Sequence, residues 1–393
     1  MKTFNVKLLY VYKFISQCLP IYAFYTILFV EKGMSVADVA VLVALWSVFA
    51  IVFEVPSGML ADRWNRRNML VLAAVFQGVC FVIWFFSHTF LLFALGFVFW
   101  AVAGAFTSGT EEGLIFDNLK SDGCEERFTT VYGRANFFGN LGTIVGIASA
   151  GLMASLIRIE VISLISAVIC FANAVLSSQI REKNFYSERL EKTSAVFFET
   201  FKEAGSFFKG NGVALLCVLF MVFFVSLGSY LDEFDALIIN DFQLSHIWVS
   251  VILTVRFVFI ALGDLLAPVV QKRISSLKQL FLVNALACSL LILFAVLWQP
   301  YAIFMFGFCF MLMTVTEVLL MNALQNSIKE EGRATVISFY GIGHNMVMVG
   351  FSLVYALLSG LFRLQTVYLI IAVYGLVGGL GFYLLSKVRK IKS

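Results

Sequence analysis

Two adjacent glutamates, Glu111 and Glu112, lie near the end of a long apolar segment that covers about residues 90–117. In a helix, Thr107 and Glu111 share one face, and Ser108 and Glu112 share the neighbouring face. Adjacent carboxylates in a site of low dielectric constant repel each other, so one of them binds a proton more readily. This pattern predicts a group that can be protonated on one side of a membrane and released on the other.

The same two glutamates also fit a purely structural role. Arg134, just inside the next apolar segment, is the nearest predicted cation. An ion pair between Arg134 and one glutamate would hold the two helices together. Lys13 in the first apolar segment either extends to the membrane surface or neutralises a carboxylate of the fourth or fifth segment. Both interpretations are open at this point.

Charged residues inside membrane-length segments are costly to bury, so each is a candidate for function. His344 has an unperturbed pKa near 6.5, but a single histidine in a helix bundle also fits a structural, hydrogen-bonded role. Three carboxylates, those of Asp232, Glu233 and Asp235, either attract cations or form an outer gate, or they are simply solvated at a helix end. Glu54 either binds a proton or belongs to a gate. The full set of proton or substrate candidates is Glu111, Glu112, Glu317, Glu54, Arg134, Arg256, His344, Asp232, Glu233, Lys13 and Gln17.

The elements that position these residues follow from composition. The 393 residues are 61% hydrophobic and 13% charged, about half the charged fraction of an average soluble domain. A helix that crosses a bilayer needs about 20 mainly apolar residues, and twelve such runs are present. They cover about 6–30, 37–60, 68–86, 90–117, 130–154, 159–180, 212–239, 246–270, 278–297, 301–326, 334–359 and 365–386. The fold class predicted is an all-α membrane protein.

The distribution of lysine and arginine predicts the orientation. With both termini cytoplasmic, the outer loops carry only Lys32, Arg158 and Arg363. Most other basic residues then lie in the inner loops and tails, as the positive-inside rule requires. We therefore expect a multi-pass protein of the inner (cytoplasmic) membrane with both ends on the cytoplasmic side.

The longest polar insertion divides the chain into three parts. Residues 1–180 and 212–393 are each expected to form a six-helix bundle, and residues 181–211 are expected to form a cytoplasmic linker. Apolar residues at helical spacing within the linker predict an amphipathic helix on the membrane surface; they are Phe197, Phe201, Ala204 and Phe208.

A short loop between the second and third apolar runs carries the most specific motif, Gly58-Met-Leu-Ala-Asp-Arg-Trp-Asn-Arg-Arg67. It resembles the signature G-x-L-A-D-R-x-G-R-[RK] of the major facilitator superfamily, with Asn65 in place of one glycine. A degenerate copy, Gly263-Asp-Leu-Leu-Ala-Pro268, lies at the end of the eighth run and leads into the connection to the ninth. The resemblance implies two pseudo-symmetric six-helix bundles with a substrate site between them near the bilayer midplane.

The resemblance also implies a cytoplasmic gate. In that family the loop aspartate, here Asp62, faces the N-terminus of helix 11, and the arginine that aligns with Arg66 pairs with an acid on helix 4, here Asp117. Charge pairs present only in one state would bias alternating access. The alternative is that these arginines serve topology alone. The predicted gate residues are Gly58, Asp62, Arg63, Arg66, Arg67 and Asp117.

The phrase Glu54-x-Pro-Ser-Gly58, with the Ser-Gly-Thr-Glu-Glu run, looks like the drug/proton antiporter branch. The antiport signature is incomplete, because Trp100 replaces an arginine and Ile147 replaces a proline after the Gly142-x-x-x-Gly146 pair. We expect a monomeric, non-enzymatic antiporter that exports a small organic compound. The proton gradient supplies the energy, and no cofactor, metal or nucleic acid is expected.

Two other functions stay open. A siderophore or metabolite carrier of the same fold would use Arg134, Arg256 and Lys13 for an anionic cargo, whereas a cationic compound would use the glutamates. A non-transporting membrane receptor is the third alternative.

Overall fold

The computed structural model describes residues 5–182, 212–274, 277–327 and 333–388. Within these ranges the chain is helical and contains no strand, which confirms the predicted all-α class. Twelve candidate membrane spans are found in them by length and composition, one for each predicted apolar run. The amphipathic helix predicted in residues 181–211 lies outside the described residues, apart from Arg181 and Glu182.

The chain separates into two compact units, residues 1–196 with 245–251, and residues 197–244 with 252–393. The first unit contains α1 Val6–Gln17, α2 Tyr25–Glu31, α3 Val36–Arg63, α4 Arg66–Phe86, α5 Phe90–Thr107, α6 Thr110–Ser121, α7 Phe128–Leu156 and α8 Ile159–Ser177. The other helices are α9 Gly212–Asp241, α10 His246–Gln271, α11 Leu277–Leu297, α12 Ile303–Ser327, α13 Arg333–Leu361 and α14 Leu364–Val388. The first residues of α10 group with the first unit. The predicted bundle boundaries stay predictions.

Two spans of the first unit are broken, and both breaks have a local cause. The first span stops at Gln17, and a 3₁₀ turn at Pro20–Ala23 precedes α2, because proline has no N–H to continue a helix. The fourth span stops at Thr107 and restarts at Thr110. Gly109 between these two residues has φ of +66°, a left-handed conformation that glycine adopts without strain.

Close packing of α1 against α7 depends on a glycine. A Cβ atom on Gly142 would lie 2.2 Å from the carbonyl oxygen of Phe14. The backbones of the two helices therefore approach more closely than any side chain at this position allows. Gly146, one turn later, lies against Leu19 in the same way.

Lys32, a lysine in a predicted outer loop, contacts the end of α4. It follows α2 and donates hydrogen bonds to the carbonyl oxygens of Trp84 and Phe85, the former at 3.1 Å. These carbonyls end α4, where a cation is favourable. Partial burial lowers the pKa of Lys32.

We predict that Gly142→Ala destabilises the protein by about 1–3 kcal/mol, because the added methyl group forces α1 and α7 apart. The measurement is thermal unfolding of purified protein in detergent. Gly133→Ala is the matched control: it lies on the same helix, and its Cβ would have no heavy atom within 4 Å. Equal melting temperatures for the two variants would contradict the packing argument.

Candidate functional site

A cavity of about 390 Å³ lies within the first unit, next to the break in the fourth span. Amides, hydroxyls, carboxylates and aromatic rings form its wall. The lining residues are Gln17, Tyr22, Gln77, Trp100, Ala103, Gly104, Thr107, Ser108, Gly109, Glu111 and Glu112. The two glutamates and Gln17, singled out from the sequence, thus meet at one site.

The break at Gly109 places both glutamates in the first turn of α6. The N–H groups at a helix N-terminus have no partner inside the helix and carry partial positive charge. Carboxylates in this first turn are stabilised by that charge. Breaking the helix thus creates a favourable position for two acids deep in an apolar span.

Glu111 is held in a buried polar cluster. Its Oε1 atom accepts a hydrogen bond of 3.0 Å from the Tyr12 hydroxyl, and its Oε2 atom forms an ion pair with Lys13. Both partners are on α1. The side chains of Lys13 and Glu111 are 15% and 10% exposed, so this charge pair is nearly withdrawn from solvent.

This arrangement differs from the expectation that Arg134 would supply the cation. Arg134 is exposed, and among the described residues no ion pair joins it to either glutamate. The reason is geometric: α1 packs closely on α7 and presents Lys13 to α6. Of the two alternatives weighed for Lys13, neutralising a carboxylate of the fourth span is the one that the structure contains.

Glu112 has a different environment from its neighbour. It is exposed to the cavity, and its Oε1 atom accepts a hydrogen bond of 2.6 Å from the Tyr132 hydroxyl. No cation lies within ion-pair distance of Glu112 in the described part of the chain. The cavity wall therefore contains one carboxylate that is paired with a lysine and one that has no ion-pair partner among the described residues.

Aromatic and amide groups form another part of the wall. Gln77 donates a hydrogen bond of 2.7 Å to the Tyr22 hydroxyl. The ring of Trp100 stacks on Tyr22 at 5.5 Å and on Phe97 at 5.9 Å, with interplanar angles of 7° and 4°. Trp100 is the residue that replaces the arginine of the antiport signature, so an aromatic stack occupies that position here.

The predicted gate is present in part. Arg66 Nη1 lies 3.2 Å from Asp117 Oδ2, and both side chains are mostly buried. The guanidinium occupies the space that a side chain at Gly113 would fill. Gly58, Asp62 and Arg63 belong to α3, but the structure does not describe the surroundings of Gly58 or the side chains of Asp62 and Arg63. The role of the gate stays a prediction.

The start of α4 is bound by a residue that the sequence did not single out. Glu182 Oε1 accepts a hydrogen bond from the Arg66 N–H at 3.0 Å, and Oε2 accepts one from the Arg67 N–H at 2.9 Å. Both N–H groups lack helical partners, which the carboxylate satisfies. The Glu182 carboxylate therefore connects the chain after α8 to the end of the Gly58–Arg67 motif.

Glu54 lies in the part of α3 that faces this break. Its Oε1 atom lies 3.4 Å from the Ser108 hydroxyl, a long hydrogen bond, and its side chain is exposed. The helix continues past Pro56 to Arg63. Glu54 thus connects α3 to the α5–α6 break, while its predicted role in proton binding or gating stays open.

The remaining candidates lie in the second unit. Arg256 is buried and forms ion pairs with Asp232 and Asp235. His344 Nδ1 lies 2.9 Å from the Ser226 hydroxyl, which matches the structural alternative for this histidine. Glu317 is half-buried, and Glu233 is partly exposed one residue after Asp232. The functional roles of these residues stay predictions.

Sequence reasoning missed three of the partners that define the site: Tyr12, Tyr132 and Gln77. Each lies on a different helix from the group that it contacts. The sequence separation between each residue and its partner gives no periodic signal. Whether the two side chains meet depends on the orientation of each helix about its own axis.

We predict that Lys13→Met lowers the free energy of unfolding by about 3–5 kcal/mol, because it leaves the Glu111 carboxylate buried without a cation. The double variant Lys13→Met/Glu111→Gln should recover most of that loss. Thermal unfolding of the purified proteins measures both effects. Arg158→Met is the control, since the Arg158–Glu160 pair has an arginine that is 80% exposed and should contribute little. A double variant that is no more stable than Lys13→Met would show that the two side chains are not coupled.

Comparison with known proteins agrees with this architecture. The sequence profile of the Major Facilitator Superfamily matches residues 13–341 of the chain. A segment of 64 residues is 33% identical to the uncharacterized MFS-type transporter YfkF of Bacillus subtilis (strain 168). That match spans 16% of this chain and 15% of the relative.

Solved structures share the fold at low sequence identity. The nucleoside transporter NupG (D323A mutant) superimposes with a TM-score of 0.81 at 15% identity, covering 96% of this chain and 99% of that one. A bacterial homolog of the human lysosomal transporter Spinster gives 0.71 at 15% identity, with 97% and 95% covered. A POT family transporter in complex with a thioalcohol-conjugated peptide gives 0.71 at 11%, with 98% and 96% covered. The profile match covers most of the chain, so the chain belongs to the major facilitator superfamily, a family of membrane transport proteins rather than enzymes.

Proposed function

We propose that this multi-pass membrane transporter exports a small organic cation by alternating access, in exchange for protons. The observation that carries the proposal is the single uncompensated carboxylate, Glu112, in the wall of the cavity of the first unit. Such a carboxylate can bind a proton or pair with a cationic substrate, but not both at once. It therefore couples the movement of protons to the movement of substrate in the opposite direction.

The charge distribution favours a cationic over an anionic cargo. Lys13 and Arg256 are the buried cations that an anion would use, and both already pair with carboxylates. Arg134 is exposed and does not line the cavity. An anion entering this cavity would meet the Glu112 charge without a cation to offset it. These contacts support the exporter over the siderophore or metabolite carrier.

The wall chemistry supports a compact compound with polar edges. Gln17, Gln77 and the hydroxyls of Tyr22 and Ser108 offer donors and acceptors at several points. Ligand pockets that combine apolar surface with a few polar groups of this kind fix the orientation of a small molecule.

We expect a monomer in the cytoplasmic membrane, with both termini cytoplasmic and no cofactor.

The test uses purified protein in liposomes and N-methyl-4-phenylpyridinium, an aromatic monocation, as the probe. With the liposome interior acidic, wild-type protein should accumulate the probe above its external concentration while protons leave. Glu112→Gln removes the charge that pairs with the probe. A charged contact contributes about 1.5–3 kcal/mol, so we predict that binding weakens about tenfold to one-hundredfold and that accumulation is lost.

Glu126→Gln is the matched control, because the same substitution is made at an exposed residue just after α6. It should accumulate the probe as wild type does. A Glu112→Gln protein that still forms a full gradient removes Glu112 from coupling. Uptake of benzoate but not of the cation would instead favour the anion carrier.

A further inference from the structure

A second charge cluster lies in the second unit, between α9 and α10. Arg256 Nε lies 2.9 Å from Asp235 Oδ2, and Arg256 Nη1 contacts Asp232 Oδ1. The guanidinium also lies over the rings of Phe257 and Phe310, 4.5 and 4.9 Å from their centroids. The cation is therefore fixed by two carboxylates and two aromatic faces.

The two carboxylates differ in their access to solvent. The side chain of Asp232 is 43% exposed, whereas those of Asp235 and Arg256 are each 4% exposed. In the described residues no second cation lies within ion-pair distance of either aspartate. With both aspartates ionised, the cluster would hold one excess negative charge shared between buried Asp235 and partly exposed Asp232, and its share on Asp235 is costly in a low-dielectric interior. One proton bound to the pair removes that cost.

Buried hydroxyl groups lie beside the cluster. Tyr230, Tyr355 and Tyr368 are completely buried, and the described residues offer no hydrogen-bond partner to their hydroxyls. Tyr368 is close enough to Asp235 and Arg256 to interact with both electrostatically. A hydroxyl can accept a hydrogen bond from a protonated carboxyl and can donate one to the ionised form. In the structure the Tyr368 hydroxyl makes no hydrogen bond to the described residues, so it adds a buried dipole near Asp235 and not a fixed partner.

We infer that Asp232, Asp235 and Arg256 form a proton-binding site of the second unit, in which the two aspartates share one exchangeable proton. Arg256 holds the two carboxylates together and balances the charge of the one that stays ionised. The proton moves from Asp235 to the Asp232 carboxylate and then leaves from Asp232 to solvent. The net charge of the three groups changes from zero to minus one in that step.

The remaining titratable groups around the cluster do not supply the missing positive charge. On α9 they are Tyr230 and Glu233, on α13 Tyr355 and on α14 Tyr368. Asp241, at the end of α9, acts on Tyr355. The side chain that α12 places against Arg256 is the uncharged Phe310. All of these groups are neutral or acidic, so they favour the bound proton.

This site goes beyond the proposed function, which places the coupling carboxylate in the first unit. Proton binding here is a property of the purified protein without substrate. The presence of this proton-binding site does not depend on whether transport is coupled to protons. The two proposals are therefore tested by separate measurements.

The experiment is infrared difference spectroscopy of the purified full-length protein between alkaline and neutral pH. A protonated carboxyl absorbs separately from a carboxylate. Wild type should gain the band of one protonated carboxyl at neutral pH. Asp235→Asn and Asp232→Asn should each lose it, because either change leaves one carboxylate paired with one guanidinium. Asp241→Asn is the control on the same helix and should keep the band.

A band that persists in both Asp235→Asn and Asp232→Asn would overturn the inference, as would a wild-type spectrum equal to theirs. Thermal unfolding establishes that each variant is folded. Asp232 is exposed, so Asp232→Asn should keep the fold and can decide the question alone if the buried Asp235→Asn protein fails to fold.

Discussion

The ion pair between Lys13 and Glu111 is the interaction on which the first unit depends. A lysine or a glutamate alone in an apolar interior carries a desolvation penalty of several kcal/mol. The two side chains, with the Tyr12 hydroxyl, satisfy each other across α1 and α6. Their meeting requires α1 to lie close to α7 and requires α6 to begin where it does. The glycine contact at Gly142 and the left-handed Gly109 thus serve one electrostatic arrangement.

The neutralisation of Glu111 determines the character of Glu112. Were both carboxylates free, the cavity would carry two adjacent charges that repel each other. With one of them paired, a single charge remains where a ligand can reach it. The first unit thus separates a structural acid from a candidate functional acid in consecutive residues. In the second unit one arginine pairs with two aspartates, whereas in the first unit one lysine pairs with one glutamate. The two ion-pair clusters therefore differ in charge balance.

Sequence reasoning predicted the fold well, because apolar length is the dominant constraint on a chain that crosses a bilayer. All twelve spans appear where hydropathy placed them. The Arg66–Asp117 contact, implied by resemblance of the loop motif, is also present in the structure. These features depend on composition and on local sequence, and both are visible without coordinates.

The partner of Glu111 was not predictable with the same reasoning. Arg134 and Lys13 are both long cationic side chains in neighbouring spans, and choosing between them requires the rotation of each helix. That rotation follows from interhelical contacts such as the one at Gly142, which hydropathy does not report. The pairing of Asp235 with Arg256 was not predicted for a related reason. Asp235 lies two residues from Glu233, and only the fold shows that it faces Arg256 while Asp232 is partly exposed.

The arrangement of aromatic rings limits how the cavity can recognise a cation. A cation–π interaction needs an open ring face. The rings of Tyr22 and Phe97 stack nearly parallel to Trp100, with centroids 5.5 and 5.9 Å from it. These stacks fix the orientation of the Trp100 ring in the cavity wall and occupy part of its surface. In the proposed mechanism the attraction for positive charge falls to Glu112, while the amides and hydroxyls distinguish among cations by shape and hydrogen bonding. Replacing the arginine of the antiport signature by tryptophan is consistent with this, since it leaves Glu112 as the charge that the cavity presents.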